Sequence, residues 1–139
     1  MKLTEHFTLE EMTASDTARR LGIKNEPNAI QVECLRTLCA TVLEPARIKF
    51  GKPIRISSAF RCQELNKAVK GNQNSQHKTG EAADLQVSPA TELRRLFDIL
   101  KTLPVDQLLF EYNGRTKWIH VSHKYNRKQR GYINDNYRA

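Results

Sequence analysis

Cysteine is scarce: the chain holds only Cys34, Cys39 and Cys62, an odd number with no CxxC spacing. That argues against a disulfide framework and against a thiolate zinc cluster. Long apolar runs are missing too. A membrane-spanning helix needs about 20 consecutive apolar residues, whereas the run from Val105 to Phe110 is interrupted by Asp106 and Gln107. With a mean hydropathy of −0.63, no membrane insertion is expected. Glycine and proline number 6 and 5 and form no linker, and no internal repeat stands out. Two domains within 139 residues would each be too small for a good core, so residues 1–139 read as one domain. The opening Met1-Lys2-Leu3-Thr4-Glu5-His6 lacks the apolar segment of a signal peptide, and manufacture in the cytoplasm is expected.

Positive charge is what the chain has in excess. Lys plus Arg number 23 against 15 for Asp plus Glu, a net charge of +8. Such a surface attracts polyanions, whether nucleic acid, acidic lipid or bacterial wall, and does not choose among them.

Local patterns outline the elements. Thr8-Leu9-Glu10-Glu11 reads as a capping box opening a short helix. Ser15 to Arg20 continue as a second helical piece ended by Gly22. From Asn28 the apolar positions Ile30, Val32, Leu35, Leu38, Val42, Leu43 and Ala46 mark one face of the longest helix. Pro45 is expected to kink or end it, and Gly51 to close it. Ile54 to Ser58 alternates like a strand, Glu64 to Val69 reads as a helix, and Ala82 to Val87 as a strand. Ser88 as N-cap with Pro89 at the first helical position starts a helix through Leu100. Val105 to Tyr112 and Trp118 to Ser122 flank the hairpin signal Asn113-Gly114. Residues 124–139 are polar and basic and read as a tail. The expected fold class is α+β, with N-terminal helices packed on a small, mainly antiparallel sheet.

Two segments carry the chemistry. His77-Lys78-Thr79-Gly80-Glu81-Ala82-Ala83-Asp84 turns tightly between an imidazole and a carboxylate. In Trp118-Ile119-His120-Val121-Ser122, strand alternation places Trp118, His120 and Ser122 on one face. By spacing alone, His77, Asp84 and His120 are either three ligands of a catalytic zinc site or hydrogen-bonded core residues. His123 falls on the other face from His120. Glu81, Asp98 and Asp106 read as surface or turn residues, and His6 as a helix-start or surface residue.

These residues resemble the M15 peptidases, zinc D-Ala-D-Ala carboxypeptidases and dipeptidases with related phage cell-wall endopeptidases. Their Ser-x-His-x-x-Gly-x-Ala-x-Asp motif is matched by Ser75, His77, Gly80, Ala82 and Asp84. Their Trp-x-His element is matched by Trp118-Ile119-His120, and their Ser-Ser-x-x-Arg element by Ser57-Ser58-Ala59-Phe60-Arg61, followed by Asn66. The stretch from His6 to Met12 resembles the opening of the short phage and prophage branch. The resemblance implies one Zn²⁺ ion held by His77, Asp84 and His120. It implies that Arg61 polarises the scissile carbonyl or binds a substrate carboxylate, and that Ser75 helps seat the substrate.

The general base departs from part of the family. Many members carry an acidic residue three positions before the last histidine, where this chain has Lys117. Either catalysis is lost or the carboxylate comes from elsewhere. Glu111, on the strand expected to pair with Trp118 to Ser122, is the candidate; the distantly related hedgehog domain also places a glutamate there. The expected reaction is hydrolysis of a bacterial peptidoglycan stem peptide by zinc-activated water, at a D-Ala-D-Ala or L-Ala-D-Glu bond. The alternative is an inactive, zinc-containing wall-binding module. The tail's Arg and Tyr residues suit nucleic acid, but no recognised motif accompanies them and no specific nucleic-acid partner is expected. A monomer of phage or prophage lysis type, reaching the wall after release, completes the expectation.

Overall fold

The computed structural model describes residues 1–139 and is α+β, with a five-stranded, mostly antiparallel sheet. Helix α1, Leu9–Thr13, opens with the expected capping box, Thr8 accepting from the Glu11 amide and Glu11 reaching back to the Thr8 amide. Helix α2, Asp16–Leu21, is capped by Ser15 and ends at Gly22 in the left-handed region. Helix α3, Ala29–Leu38, is capped reciprocally by Asn28 and Gln31.

The proline in the long helix neither ends nor breaks it. A π-helical turn, Cys39–Leu43, joins α3 to α4, Glu44–Phe50. Pro45 has no N–H for the Thr41 carbonyl, and its ring would crowd that carbonyl in a regular helix. The wider turn, in which the Glu44 amide donates to the Cys39 carbonyl, accommodates the missing bond. Cys39 lies in the core there, and burial pushes its thiol up to about 12. Two positions of the expected apolar face are not fully buried: Ile30 lies exposed near the start of α3, and Val32 is partly buried against the core.

Strand β1 is Arg55–Ser58, helix α5 is Gln63–Ala68, and a 3₁₀ turn covers Gln76–Thr79. Strand β2, Ala82–Gln86, leads to helix α6, Ala90–Leu100. Helix α6 starts one residue later than expected, because Pro89, not Ser88, is the cap residue. Strands β3, Gln107–Tyr112, and β4, Lys117–Ser122, form the expected hairpin, with the Asn113 side chain accepting from the Arg115 and Thr116 amides in the turn.

The expected tail is the largest departure. Tyr132–Arg138 forms strand β5, parallel to β3 at the sheet edge. The strand order is β1-β2-β4-β3-β5. The segment leading to β5 is tied down by two carboxylates, Glu81 and Asp106, that are buried, contrary to the surface reading of both. Asp106 accepts from the Arg130 guanidinium and amide and from Gln76, while Glu81 accepts from Arg127, the Tyr125 amide and Thr79. These partners offset the cost of taking each charge out of water.

Alternation divides the sheet into two faces. Ala83, Leu85, Leu108, Phe110, Ile119 and Val121 join α3, α4 and α6 in one hydrophobic cluster. Asp84, Leu109, Glu111 and His120 point the other way. No helix is long and apolar enough to cross a membrane.

Candidate metal centre

Three elements converge on the polar face of the sheet. The 3₁₀ turn supplies His77, β2 supplies Asp84, and β4 supplies His120, which sits directly opposite Asp84 in the antiparallel register. Gly80 makes the approach of the first element possible. Its φ of +81° suits glycine, and a Cβ there would lie 2.7 Å from the Gln31 carbonyl oxygen of α3. Ser75 caps the 3₁₀ turn by accepting from the His77 amide.

One donor atom from each of His77, Asp84 and His120 lies within 4.8 Å of the others. Asp84 Oδ1 is 3.4 Å from His77 Nε2 and 3.1 Å from His120 Nδ1. Ligands at zinc–donor distances of about 2.0–2.1 Å in tetrahedral geometry are separated by roughly 3.3 Å, so both spacings fit. The tautomer fits as well. His77 Nδ1 lies 2.6 Å from the Ala59 carbonyl oxygen, which can only accept, so Nδ1 carries the proton. Burial lowers the His77 pKa and keeps the ring neutral. Its Nε2 then presents a lone pair to a carboxylate oxygen, two acceptors face to face, and a cation reconciles them. A backbone carbonyl orienting a ligand imidazole is a common arrangement around bound metals. Two neutral imidazoles and one carboxylate are a suitable donor set for zinc.

Arg61 flanks this cluster, with Nη2 3.6 Å from Asp84 Oδ2. Its Nε donates to Ser58 Oγ and its Nη1 to Asn66 Oδ1, and Asn66 is buried and anchored to the Asn72 carbonyl. Two of the five guanidinium donors are thereby occupied, leaving the head aimed but not saturated.

Glu111 stands opposite Trp118 in the hairpin and diagonal to His120. Diagonal positions are about 7–8 Å apart at the backbone, within reach of a long side chain. Burial raises the Glu111 carboxyl and Asp84 adds to the effect, against opposing contributions from His120, Trp118 and Arg61. Lys117 alternates to the other face, is exposed, and lies 5.9 Å from the Tyr112 ring centroid. It stays out of the cluster. His123 also stays out, its Nδ1 facing the Pro104 carbonyl, and His6 pairs with Glu44.

A cleft of about 430 Å³ opens beside the cluster, lined among others by Ser75, Glu111, His120, Arg130, Tyr132 and Tyr137. The last three are residues that pattern reading missed. Asp106, immediately before an apolar strand, was the available signal that a buried partner for a distant arginine existed; the tyrosines stood out only as rings among arginines, a pattern that suits nucleic acid and does not point to this cleft.

The Peptidase M15 family model matches residues 5–122. No curated protein matches the chain.

Proposed function

The chain belongs to the peptidase M15 family, and we propose that it is a zinc-dependent peptidase acting on bacterial cell-wall stem peptides. The observation that carries the reading is the convergence of His77, Asp84 and His120, with donor spacings suited to zinc, beside a cleft that Glu111 lines.

His77, Asp84 and His120 would hold the ion, leaving it a formal charge of +1. When bound, zinc supplies Lewis-acid polarisation and lowers the pKa of coordinated water to about 7. Glu111 takes the proton of the attacking water and passes it to the leaving amine. A carboxyl raised by burial is better matched to that exchange near neutral pH than an ordinary one. Arg61, pre-aimed by Ser58 and Asn66, donates to the carbonyl oxygen as negative charge develops there. Ser75 seats the substrate at the cleft margin while its Oγ caps the His77 turn.

The exposed placement of Lys117 favours catalysis over an inactive wall-binding module, since the lysine does not oppose Glu111. The finer reading is cleavage at D-Ala-D-Ala or L-Ala-D-Glu by a single-domain monomer, in the phage or prophage lysis setting that the resemblance implies. Metal analysis of the purified protein paired with mass spectrometry of products from defined stem peptides tests it. About one equivalent of zinc with release of one fragment pair supports the reading; binding to wall without release supports the module instead.

A further inference from the structure

Strand β5 lies beyond the residues that the family model matches, yet it forms one side of the cleft. Its pairing with β3 sets Tyr132 beside Gln107 and Asn134 beside Leu109, and then shifts so that Tyr137 stands beside Glu111. Uninterrupted pairing would have put Asn136 there. The irregularity therefore exchanges a carboxamide for an aromatic ring next to Glu111, the re-aiming for which bulges are known. The Asn134 side chain accepts from the Asn136 amide at the shift and steadies it.

Both rings remain accessible, Tyr132 at 49% and Tyr137 at 39% exposure, while their backbone is held firmly. The Tyr132 amide donates to the Asp106 carbonyl oxygen, and Asp106 itself, wholly buried, grips Arg130. The Arg130 charge is thereby committed to Asp106. On this side the cleft offers two phenol rings and the Gln107 carboxamide, and the carboxamides of Asn72 and Asn74 lie elsewhere in its lining. Such a lining favours an uncharged polar chain: rings to pack against, with donors and acceptors for amides.

We propose that β5 is a substrate-binding wall, on which Tyr132 and Tyr137 hold an uncharged peptide segment flanking the scissile bond on the Glu111 side. The proposal rests on the peptidase reading. Two rings packed on substrate add uniform binding, which appears in KM and leaves kcat nearly unchanged.

Steady-state hydrolysis of a synthetic stem peptide by zinc-loaded full-length protein tests it. Tyr132→Ala and Tyr137→Ala should each raise KM about tenfold with kcat within about threefold, and Tyr137→Phe should restore most of the loss. Ile133→Ala, on the same strand with its side chain to the other face, should leave KM unchanged. Unaltered KM in both tyrosine variants, or an equal rise in Ile133→Ala, overturns the wall while leaving the peptidase reading intact. A zinc-loaded wild type that cuts no stem peptide overturns the peptidase reading, and the wall falls with it.

Discussion

Glu111 shows how one side chain takes its chemistry from its neighbours. It lies on a strand whose other residues, Leu108 and Phe110, pack into the core, and it tolerates that position because it faces the cleft and the His120–Asp84 pair. Glu111→Gln should keep the metal and lose kcat by roughly 10²–10⁴-fold, the usual contribution of a positioned acid–base group; zinc analysis alongside turnover checks both halves. His77→Ala should instead lose the ion, because it removes the donor oriented by the Ala59 carbonyl. Atomic absorption on the dialysed protein reads that outcome directly. Gly71 is the less obvious residue. A Cβ there would collide with Asn66 Oδ1 and fall 2.8 Å from Arg61 Nη1, so Gly71→Ala should displace the guanidinium without touching the metal donors. Misplacement by about 1 Å can cost on the order of 10²-fold, and kcat/KM should fall accordingly while zinc content stays at the wild-type level.

At the scale of elements, the decisive feature is the clasp that turns a basic C-terminal stretch into β5. Asp106 is the centre of that clasp. Burial works to raise its carboxyl, but hydrogen bonds from Arg130 and Gln76 pull it down to about 2. A carboxyl whose folded pKa lies below its unfolded value of about 3.9 contributes stability that is present above that value. The contribution is lost as pH falls from about 4 towards 2. Wild-type stability should therefore decline through that window, and Asp106→Asn should flatten the decline, as measured by denaturant midpoints at successive pH values. Asp106→Ala removes the acceptor of the Arg130 guanidinium and amide and of Gln76, and should destabilise the fold by about 1–3 kcal/mol, the usual cost of stripping hydrogen-bonded groups of their partner. The same variant should loosen the cleft wall before it affects the metal donors, which sit on other elements.

The whole molecule carries eight surplus positive charges. If they draw the protein to an anionic envelope, salt should weaken adsorption to purified cell wall far more than cleavage of a small soluble peptide. The Debye length falls from about 10 Å at 0.1 M to about 3 Å at 1 M, which screens a diffuse surface attraction but not contacts inside a cleft. Pull-down on wall fragments and peptide hydrolysis across that range should separate the two. Equal salt sensitivity would place the charges in substrate binding itself.

Period and capping were enough to make the helices, the β3–β4 hairpin and the α+β class legible in the sequence, because those signals are local. The Ser75-to-Asp84 motif with Trp118-Ile119-His120 likewise marked the residues that the fold brings together. Other features depend on residues far apart in the chain. Local pattern reads Glu81 and Asp106 as surface or turn residues, because it does not show that Arg127 and Arg130 return from elsewhere to pair with them as they are buried. A basic, polar stretch looks like a solvated tail until partners 24 and 46 residues upstream hold it against the sheet. Only then does Tyr137 stand beside Glu111. The donor types were written in the chain; their 3.1 and 3.4 Å spacing, the proton on His77 Nδ1 and the far wall of the cleft were decided by tertiary structure, since each depends on contacts between elements that no local pattern encodes.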